Sequence, residues 1–123
     1  MANKPQKHIV ALSNTLTTNI LNPPAGSGGV GPTATNQYIL IKHVRIVNKT
    51  PSAATFSLWV GATGANAAGT EFMGTGQSVA ANSYVDYYPG GQGFRMDAAD
   101  FLVGGASAAT TLTIEIDYEL AVA

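Results

Sequence analysis

The fold class of this chain is set by the stretch Leu112-Thr-Ile-Glu-Ile-Asp-Tyr-Glu-Leu-Ala-Val122. Large apolar residues occupy every second position, and the carboxylates Glu115, Asp117 and Glu119 lie between them. Successive side chains of a strand point to opposite faces, whereas a helix would spread these apolar residues around its whole circumference. The stretch therefore predicts one long β-strand with a buried face and a solvated face.

A second long strand is predicted over residues 37–48, but its apolar positions change parity along the way. Ile39 and Ile41 occupy odd positions and would point to one face of a regular strand, whereas Val44 and Ile46 occupy even positions and would point to the other. Either both faces of this strand are buried, or a β-bulge lies near Lys42 and His43. A turn follows, and residues 53–60 alternate again, so the two strands are predicted to form a hairpin.

Short apolar segments separated by Gly, Pro and Asn continue along the chain, and no amphipathic helix is evident. About seven to nine short strands predict an all-β fold, an antiparallel β-sandwich of jelly-roll or immunoglobulin-like topology. The 123 residues suffice for one domain, which we place at residues 8–123. Residues 1–7 are polar and predict a flexible N-terminal arm. Residues 22–36 are rich in Gly and Pro and predict a long loop.

The charges of the chain are few and unevenly distributed. Only 11% of the residues are charged and the net charge is −1, which disfavours a nucleic-acid partner because such proteins carry a basic excess. The first 49 residues carry +5 and the remainder −6. Two interpretations stay open: basic and acidic strands are neighbours in one fold, or patches of opposite sign let copies or partners dock.

No set of residues matches a catalytic or metal-binding motif. Ser78 lies in Gly-Gln-Ser-Val-Ala, which lacks the second glycine and the following helix of a nucleophile elbow. His8 and His43 have no carboxylate nearby in sequence to orient them for catalysis or to complete a metal site. Asp97 and Asp100 are typical of a turn, and cysteine is absent. We therefore predict no enzyme activity, no metal and no cofactor.

Neither a signal peptide nor a membrane span is evident in the sequence. The first eight residues contain no apolar core, and no run approaches the ~20 apolar residues that cross a bilayer. We therefore expect synthesis in a cytoplasm and no membrane partner.

Two groups of side chains are candidates for surface contacts. Aromatic residues cluster around a Pro-Gly turn: Tyr84, Tyr87, Tyr88 and Phe94. Buried, they belong to the core; exposed, they offer rings that stack on a sugar or anchor a protein partner. The carboxylates of the last strand predict a solvated face or one paired with Lys42 and Arg45.

Several short sequence words occur in a familiar order. Thr15-Leu-Thr-Thr-Asn-Ile-Leu21 leads to Pro24-Ala-Gly26, then come Ile41-Lys-His-Val-Arg-Ile-Val-Asn48 and Ala54-Thr-Phe-Ser-Leu-Trp-Val60, and a Thr-Leu-Thr-Ile strand follows. Over residues 13–120 this order resembles small β-sandwich structural proteins of tailed bacteriophages. That group includes capsid decoration (cement) proteins and some tail-associated proteins.

The resemblance implies a virion structural protein without catalytic activity, located on the capsid surface after synthesis in the host cytoplasm. Its partners would be the major capsid protein and further copies of itself, with a trimer favoured. The residues expected to contact partners are Lys4, Lys7, Asn22, Pro23, Pro24, Val30, Pro32, Tyr87 and Tyr88. The main alternative is a phage tail or fibre module that binds host glycans through residues 84–94. A small enzyme would instead require a histidine that meets a carboxylate in a pocket.

Overall fold

Ten β-strands and no helix make up the part of the chain that the computed structural model describes, residues 4–21, 37–61, 70–97 and 100–122. The strands are β1 (Lys4–Ala11), β2 (Asn19–Leu21), β3 (Gln37–Asn48), β4 (Ala54–Gly61), β5 (Thr70–Glu71), β6 (Gln77–Val79), β7 (Ser83–Tyr87), β8 (Phe94–Met96), β9 (Phe101–Ala106) and β10 (Leu112–Val122). Within these residues there is accordingly no helix long and apolar enough to span a membrane. The all-β prediction is confirmed, and the count exceeds the prediction because the shortest strands carry no periodic signal.

The strands form two antiparallel five-stranded sheets, consistent with the predicted β-sandwich. The first sheet has the order β1-β10-β3-β7, and β8 pairs with a further part of β3. The second sheet has the order β2-β9-β4-β5, and β6 pairs with β4. Neighbouring strands are therefore mostly distant in sequence, and each sheet combines strands from the early and the late part of the chain.

β10 lies in the middle of the first sheet and supplies one wall of the core. Leu112, Ile114 and Ile116 are at most 1% exposed, as the period-two pattern predicts. Leu58 of the second sheet belongs to the same buried cluster. The side chain of Val122 lies outside the described residues, and every other large apolar residue of β10 is buried.

A β-bulge in β3 explains the change of parity in its sequence. β10 pairs Asp117 with His43 but the next residue, Tyr118, with Ile41. Lys42 is therefore an extra residue on β3, and the side chains beyond it return to the inner face. All four apolar residues in question are fully buried: Ile39, Ile41, Val44 and Ile46. Of the two interpretations that the sequence leaves open, the bulge is confirmed.

The predicted hairpin of β3 with β4 is wrong, because these strands lie in different sheets. The buried Asn48 organises the turn that crosses between them. Its Nδ2 donates to the carbonyl oxygens of Ser52 at 2.9 Å and Val79 at 3.1 Å, and its Oδ1 accepts from the Thr50 amide at 2.9 Å. An asparagine that satisfies several backbone groups fixes a turn that the alternating pattern alone does not reveal.

The segment predicted to be a flexible arm is a strand from Lys4 onward. β1 pairs antiparallel with β10 along its whole length. The arm is therefore wrong for residues 4–7, and the sandwich begins before residue 8. The physical reason is that β10 offers a row of backbone partners, which a polar segment accepts without an apolar pattern of its own. Residues 1–3 and the predicted loop at 22–36 lie outside the described residues.

Candidate functional site

The outward side of the first sheet gathers most of the polar chemistry of the described residues. Because four strands are in register, the side chains form rows across β1, β10, β3 and β7. The rows are Ala11–Thr113–Val47–Tyr84, Ile9–Glu115–Arg45–Asp86 and Lys7–Asp117–His43, with Tyr88 beside His43 just after β7. We call this surface the outer face.

Ion pairs connect the basic and acidic strands of the outer face. Lys7 Nζ lies 3.6 Å from Glu115 Oε1 and 3.7 Å from Asp117 Oδ1. On the far side of the bulge, Lys42 Nζ lies 3.9 Å from Glu119 Oε1. The +5 and −6 segments are thus neighbours in one fold, which confirms the first interpretation of the charge asymmetry. These charges pair within the chain, so they give no support to patches for docking.

His43 lies between two aspartates from the strands on either side of β3. Its Nε2 is 2.8 Å from Asp86 Oδ1, and its Nδ1 is 3.2 Å from Asp117 Oδ2. The ring of Tyr88 stacks on the imidazole, with centroids 4.4 Å apart and an angle of 13° between the planes. Both ring nitrogens of His43 are therefore engaged, and its ring is covered on one face.

Asp86 receives two contacts on the same oxygen atom. Arg45 Nε donates to Asp86 Oδ1 at 2.8 Å, and His43 Nε2 approaches the same atom. The hydrogen bonds of Arg45 and then His43 lower the pKa of Asp86 below its usual value, because they stabilise the carboxylate. The hydrogen bond and charge of Asp86 in turn raise the pKa of Arg45. These three side chains and Asp117, which contacts the other ring nitrogen of His43, form a linked polar cluster across β10, β3 and β7.

Two tyrosines stand on the outer face with large exposed rings. Tyr88 is 67% exposed and Tyr84 is 56% exposed. Each ring is supported by a side chain of β3: His43 stacks on Tyr88, and Arg45 Cζ lies 4.9 Å from the centroid of Tyr84. The polar cluster lies between them, so β7 and the residue that follows it present two supported aromatic rings separated by charged hydrogen-bonding groups.

The other two aromatic residues of the predicted cluster face the core. Tyr87 meets Phe72 edge-on, with centroids 5.5 Å apart, and Phe94 lies 4.9 Å from the same ring. Both pack against the buried cluster. Of the four aromatic residues, two are therefore exposed and two pack against the core, so each alternative applies to one pair. Tyr88 lies on the surface, whereas Tyr87 is half-buried and packs against the core because strand alternation turns it inward. Their predicted contacts with a partner stay predictions.

The remaining predicted contact residues divide into two groups. Lys4 and Lys7 belong to β1, and Lys7 contributes to the outer face. The other residues lie outside the described part of the chain: Asn22, Pro23, Pro24, Val30 and Pro32. The structure thus gives the lysines a place in a sheet rather than in an arm.

The arrangement around His43 differs from that of a catalytic histidine. In an acid–base triad one ring nitrogen is oriented by a carboxylate while the other faces the nucleophile. Here carboxylates contact both nitrogens. Two cavities of about 280 Å³ and 210 Å³ lie beside Leu16 and Asn82, and His43 lines neither of them. The carboxylate that the enzyme alternative requires is present at His43, and neither of these two cavities provides the pocket that it also requires.

The other candidate sites also have structural explanations. The Asp97 amide donates to Asp100 Oδ2 at 2.9 Å, and the Asp100 amide donates to the Asp97 carbonyl at 3.0 Å. The turn interpretation of this pair is confirmed. In the ranges that the structure describes, no group of three or more His, Asp or Glu residues is arranged to hold a metal ion.

The polar cluster is not predictable from the sequence alone, because its members are far apart in the chain. Asp86 and Asp117 reach His43 only through the pairing of β7 and β10 with β3. The usable signal was a polar residue at the same parity on each of three strands, but it requires the strand order and the bulge position. The sequence matches no protein-family model and no curated protein, so function is inferred from the outer face and the sequence patterns.

Proposed function

We propose that this chain is a non-enzymatic virion structural protein that decorates the outer surface of a phage capsid. The observation that carries the non-enzymatic part is the double engagement of His43 on an open sheet face. A histidine with both nitrogens bound to carboxylates has no free position for a reacting proton. The side chains around His43 line neither of the two cavities, and such a polar surface fits contact with a large partner better than the enclosure of a small substrate.

The resemblance of residues 13–120 to phage β-sandwich proteins supports the capsid as partner. The major capsid protein would meet Lys4 and Lys7 at the start of β1 and residues 22–36, where Gly and Pro let a backbone lie close to a partner. The ion pairs of the outer face support a rigid domain, since they connect β1, β10 and β3 side by side. Rigid domains lose little conformational entropy when they bind a lattice.

Binding to capsids that lack any decoration protein tests the proposal. The purified chain is mixed with such capsids, and pelleting of the complex is measured together with the temperature at which the capsid opens. We expect the chain to pellet with the capsids and to raise that temperature, because a ligand of the assembled state stabilises it. A chain that stays in the supernatant at all concentrations would overturn the proposal.

A variant of residues 22–36 and a control variant then test whether this segment contacts the capsid. Replacement of Pro23, Pro24, Val30 and Pro32 by serine should weaken capsid binding and leave the melting temperature of the isolated chain unchanged. The matched control is Leu16→Ser, which changes an exposed apolar residue in another segment and should bind normally. Equal binding by all three proteins would exclude residues 22–36 from the contact.

A tail or fibre module that binds glycans is the second candidate, and the exposed rings of Tyr84 and Tyr88 favour it. At the extended rise of about 3.3 Å per residue, the backbone positions of the two tyrosines are about 13 Å apart. The cluster of Arg45 and Asp86 between them offers donors and acceptors to sugar hydroxyls. A glycan array tests this candidate: binding that is lost in Tyr84→Ala and Tyr88→Ala, but kept in Leu16→Ala, would support it. An array without signal would remove it.

A further inference from the structure

The first sheet has an edge at β1 that no other described strand covers. β1 pairs with β10 on one side, and within the residues that the structure describes nothing pairs with its other side. Such an edge presents a row of backbone N–H and C=O groups that are ready to pair with another strand.

The direction of these backbone groups follows from one hydrogen bond at the end of β1. The Leu12 amide donates to the Leu112 carbonyl at 2.9 Å. Hydrogen-bonding groups alternate in direction along an antiparallel strand, so residues of even number in β1 face β10. Residues of odd number present their backbone groups outward, and the first of them is Pro5. A proline at an outward position fits this assignment, because it has no N–H group to offer.

The two halves of this edge differ in chemistry. Natural edge strands are protected by lysine and proline, and the first half of β1 has both, in Pro5 and the exposed Lys7. The second half has Ile9, which is 55% exposed, and Ala11. An exposed β-branched residue on an uncovered edge is the type of side chain that a neighbouring strand would bury.

We propose that β1 pairs with β1 of a second copy of this chain, antiparallel, with a two-fold axis at Ile9. In this register the two Ile9 side chains face each other on the outer face, and Lys7 lies opposite the second copy's Ala11. Lys7, Ile9 and Ala11 then exchange backbone hydrogen bonds with the second copy. The outer faces of the two copies become one continuous sheet surface.

Self-complementarity selects a second copy as the occupant and selects this register. An axis at Lys7 would place two lysines opposite each other, and like charges in that position are destabilising. It would also place Pro5 opposite Ile9, where one donor is missing. The axis at Ile9 avoids both conflicts and buries the exposed isoleucine. Such a contact is isologous, since the same surface of each copy forms it.

Sedimentation of the isolated chain over a wide dilution series tests the pairing. We expect the mass to rise with concentration from the 12.6 kDa of one chain towards twice that value. Ile9→Lys should remain monomeric, because two lysines would face each other at the axis. It should still fold, since Glu115 lies opposite position 9 on β10. The matched control is Tyr84→Gln, which removes an equally exposed side chain from β7 and should dimerise like the wild type.

A second variant keeps the test independent of side-chain charge. Ala11→Pro removes an outward N–H without breaking a bond to β10, and it should fold but not dimerise. In amide exchange, Lys7, Ile9 and Ala11 should become protected only at high concentration, whereas His8 and Val10 are protected throughout. A wild type that stays monomeric at every concentration would overturn the proposal. So would a dimer that persists in both β1 variants.

Discussion

At the scale of single residues, Ile116 shows how one side chain supports the whole sandwich. It lies on the inner face of the central strand β10 and is fully buried. We expect Ile116→Ala to lower the free energy of unfolding by about 2–5 kcal/mol, because burial is lost and a cavity remains. Chemical denaturation measures this loss.

The neighbouring residue provides the control for this prediction. Glu115 stands on the outer face of the same strand and pairs with Lys7 near solvent. Glu115→Ala should change the free energy of unfolding by less than about 1 kcal/mol. Equal denaturation midpoints for Ile116→Ala and wild type would contradict the assignment of faces in β10.

Asp86 makes the stability of the protein depend on acid pH. Its pKa is lower in the folded protein than in the unfolded chain, mainly because Arg45 donates to it, so it favours folding above the unfolded value of about 3.9. This contribution is lost as the pH falls through the lower folded pKa. We therefore expect Asp86→Asn to lose less stability than wild type between neutral pH and the region below about pH 4.

Melting temperatures measured across this pH range test the role of Asp86. The control is Glu71→Gln, whose carboxylate accepts a hydrogen bond from the Thr75 hydroxyl but forms no ion pair in the described part of the chain. Glu71→Gln should follow the wild-type curve. Parallel curves for wild type and Asp86→Asn would show that the contacts of Asp86 do not stabilise the fold.

At the scale of elements, the bulge at Lys42 keeps both halves of β3 on the correct face. Deletion of Lys42 would remove the bulge and make Ile41 and His43 consecutive partners of Tyr118 and Asp117, so that the apolar residues of both halves would still point to the core. We therefore expect the deletion variant to fold. Lys42→Ala should also fold, since it loses the contacts of the ammonium group with Gln92 and Glu119. Circular dichroism and solubility measure both variants, and an unfolded deletion variant would contradict the assignment of Lys42 as the extra residue.

The bulge and the start of β1 illustrate what a sequence can and cannot predict. The parity change between Ile41 and Val44 is a local signal, and it reduced the possibilities to a strand buried on both faces or a bulge near Lys42 and His43. The strand at Lys4 has no such signal, because Lys-Pro-Gln-Lys pairs through backbone groups that every residue carries. The predicted hairpin of β3 with β4 is wrong for a similar reason, since a hairpin and a connection between two sheets have the same alternating pattern in the sequence.

At the scale of the whole molecule, the N-terminal residues contribute to the stability of the sandwich. An arm would be dispensable, but residues 4–7 pair with β10, and Lys7 joins two of its carboxylates. We expect deletion of residues 2–7 to reduce the free energy of unfolding by on the order of 2 kcal/mol, from the lost backbone hydrogen bonds. Thermal unfolding measures this change.

A shorter deletion is the control for the N-terminal truncation. Removal of residues 2 and 3 leaves β1 intact from Lys4 and should change the melting temperature much less. If the two truncated chains melt at the same temperature as the full chain, the pairing of residues 4–7 contributes nothing to stability.

The polar cluster also depends on the fold of the whole molecule, and for this reason it cannot be predicted from the sequence. His43, Asp86 and Asp117 come from three strands, and only the order of the first sheet brings them together. Composition and periodicity predict the sheet-forming segments because each one carries its own pattern. They do not predict which strands become neighbours, because that choice depends on the packing of the entire core.

The central position of β10 has a consequence for synthesis of the chain on the ribosome. β1 and β3 both pair with β10, yet β10 is made after all the other described strands. Nascent chains that contain β1 and β3 therefore leave the exit tunnel without the strand that holds them together. Contacts between such distant segments form slowly, and apolar strands exposed in the meantime are prone to aggregation. The pairing of β1 and β3 with β10 therefore forms only after Leu112–Val122 has emerged from the tunnel.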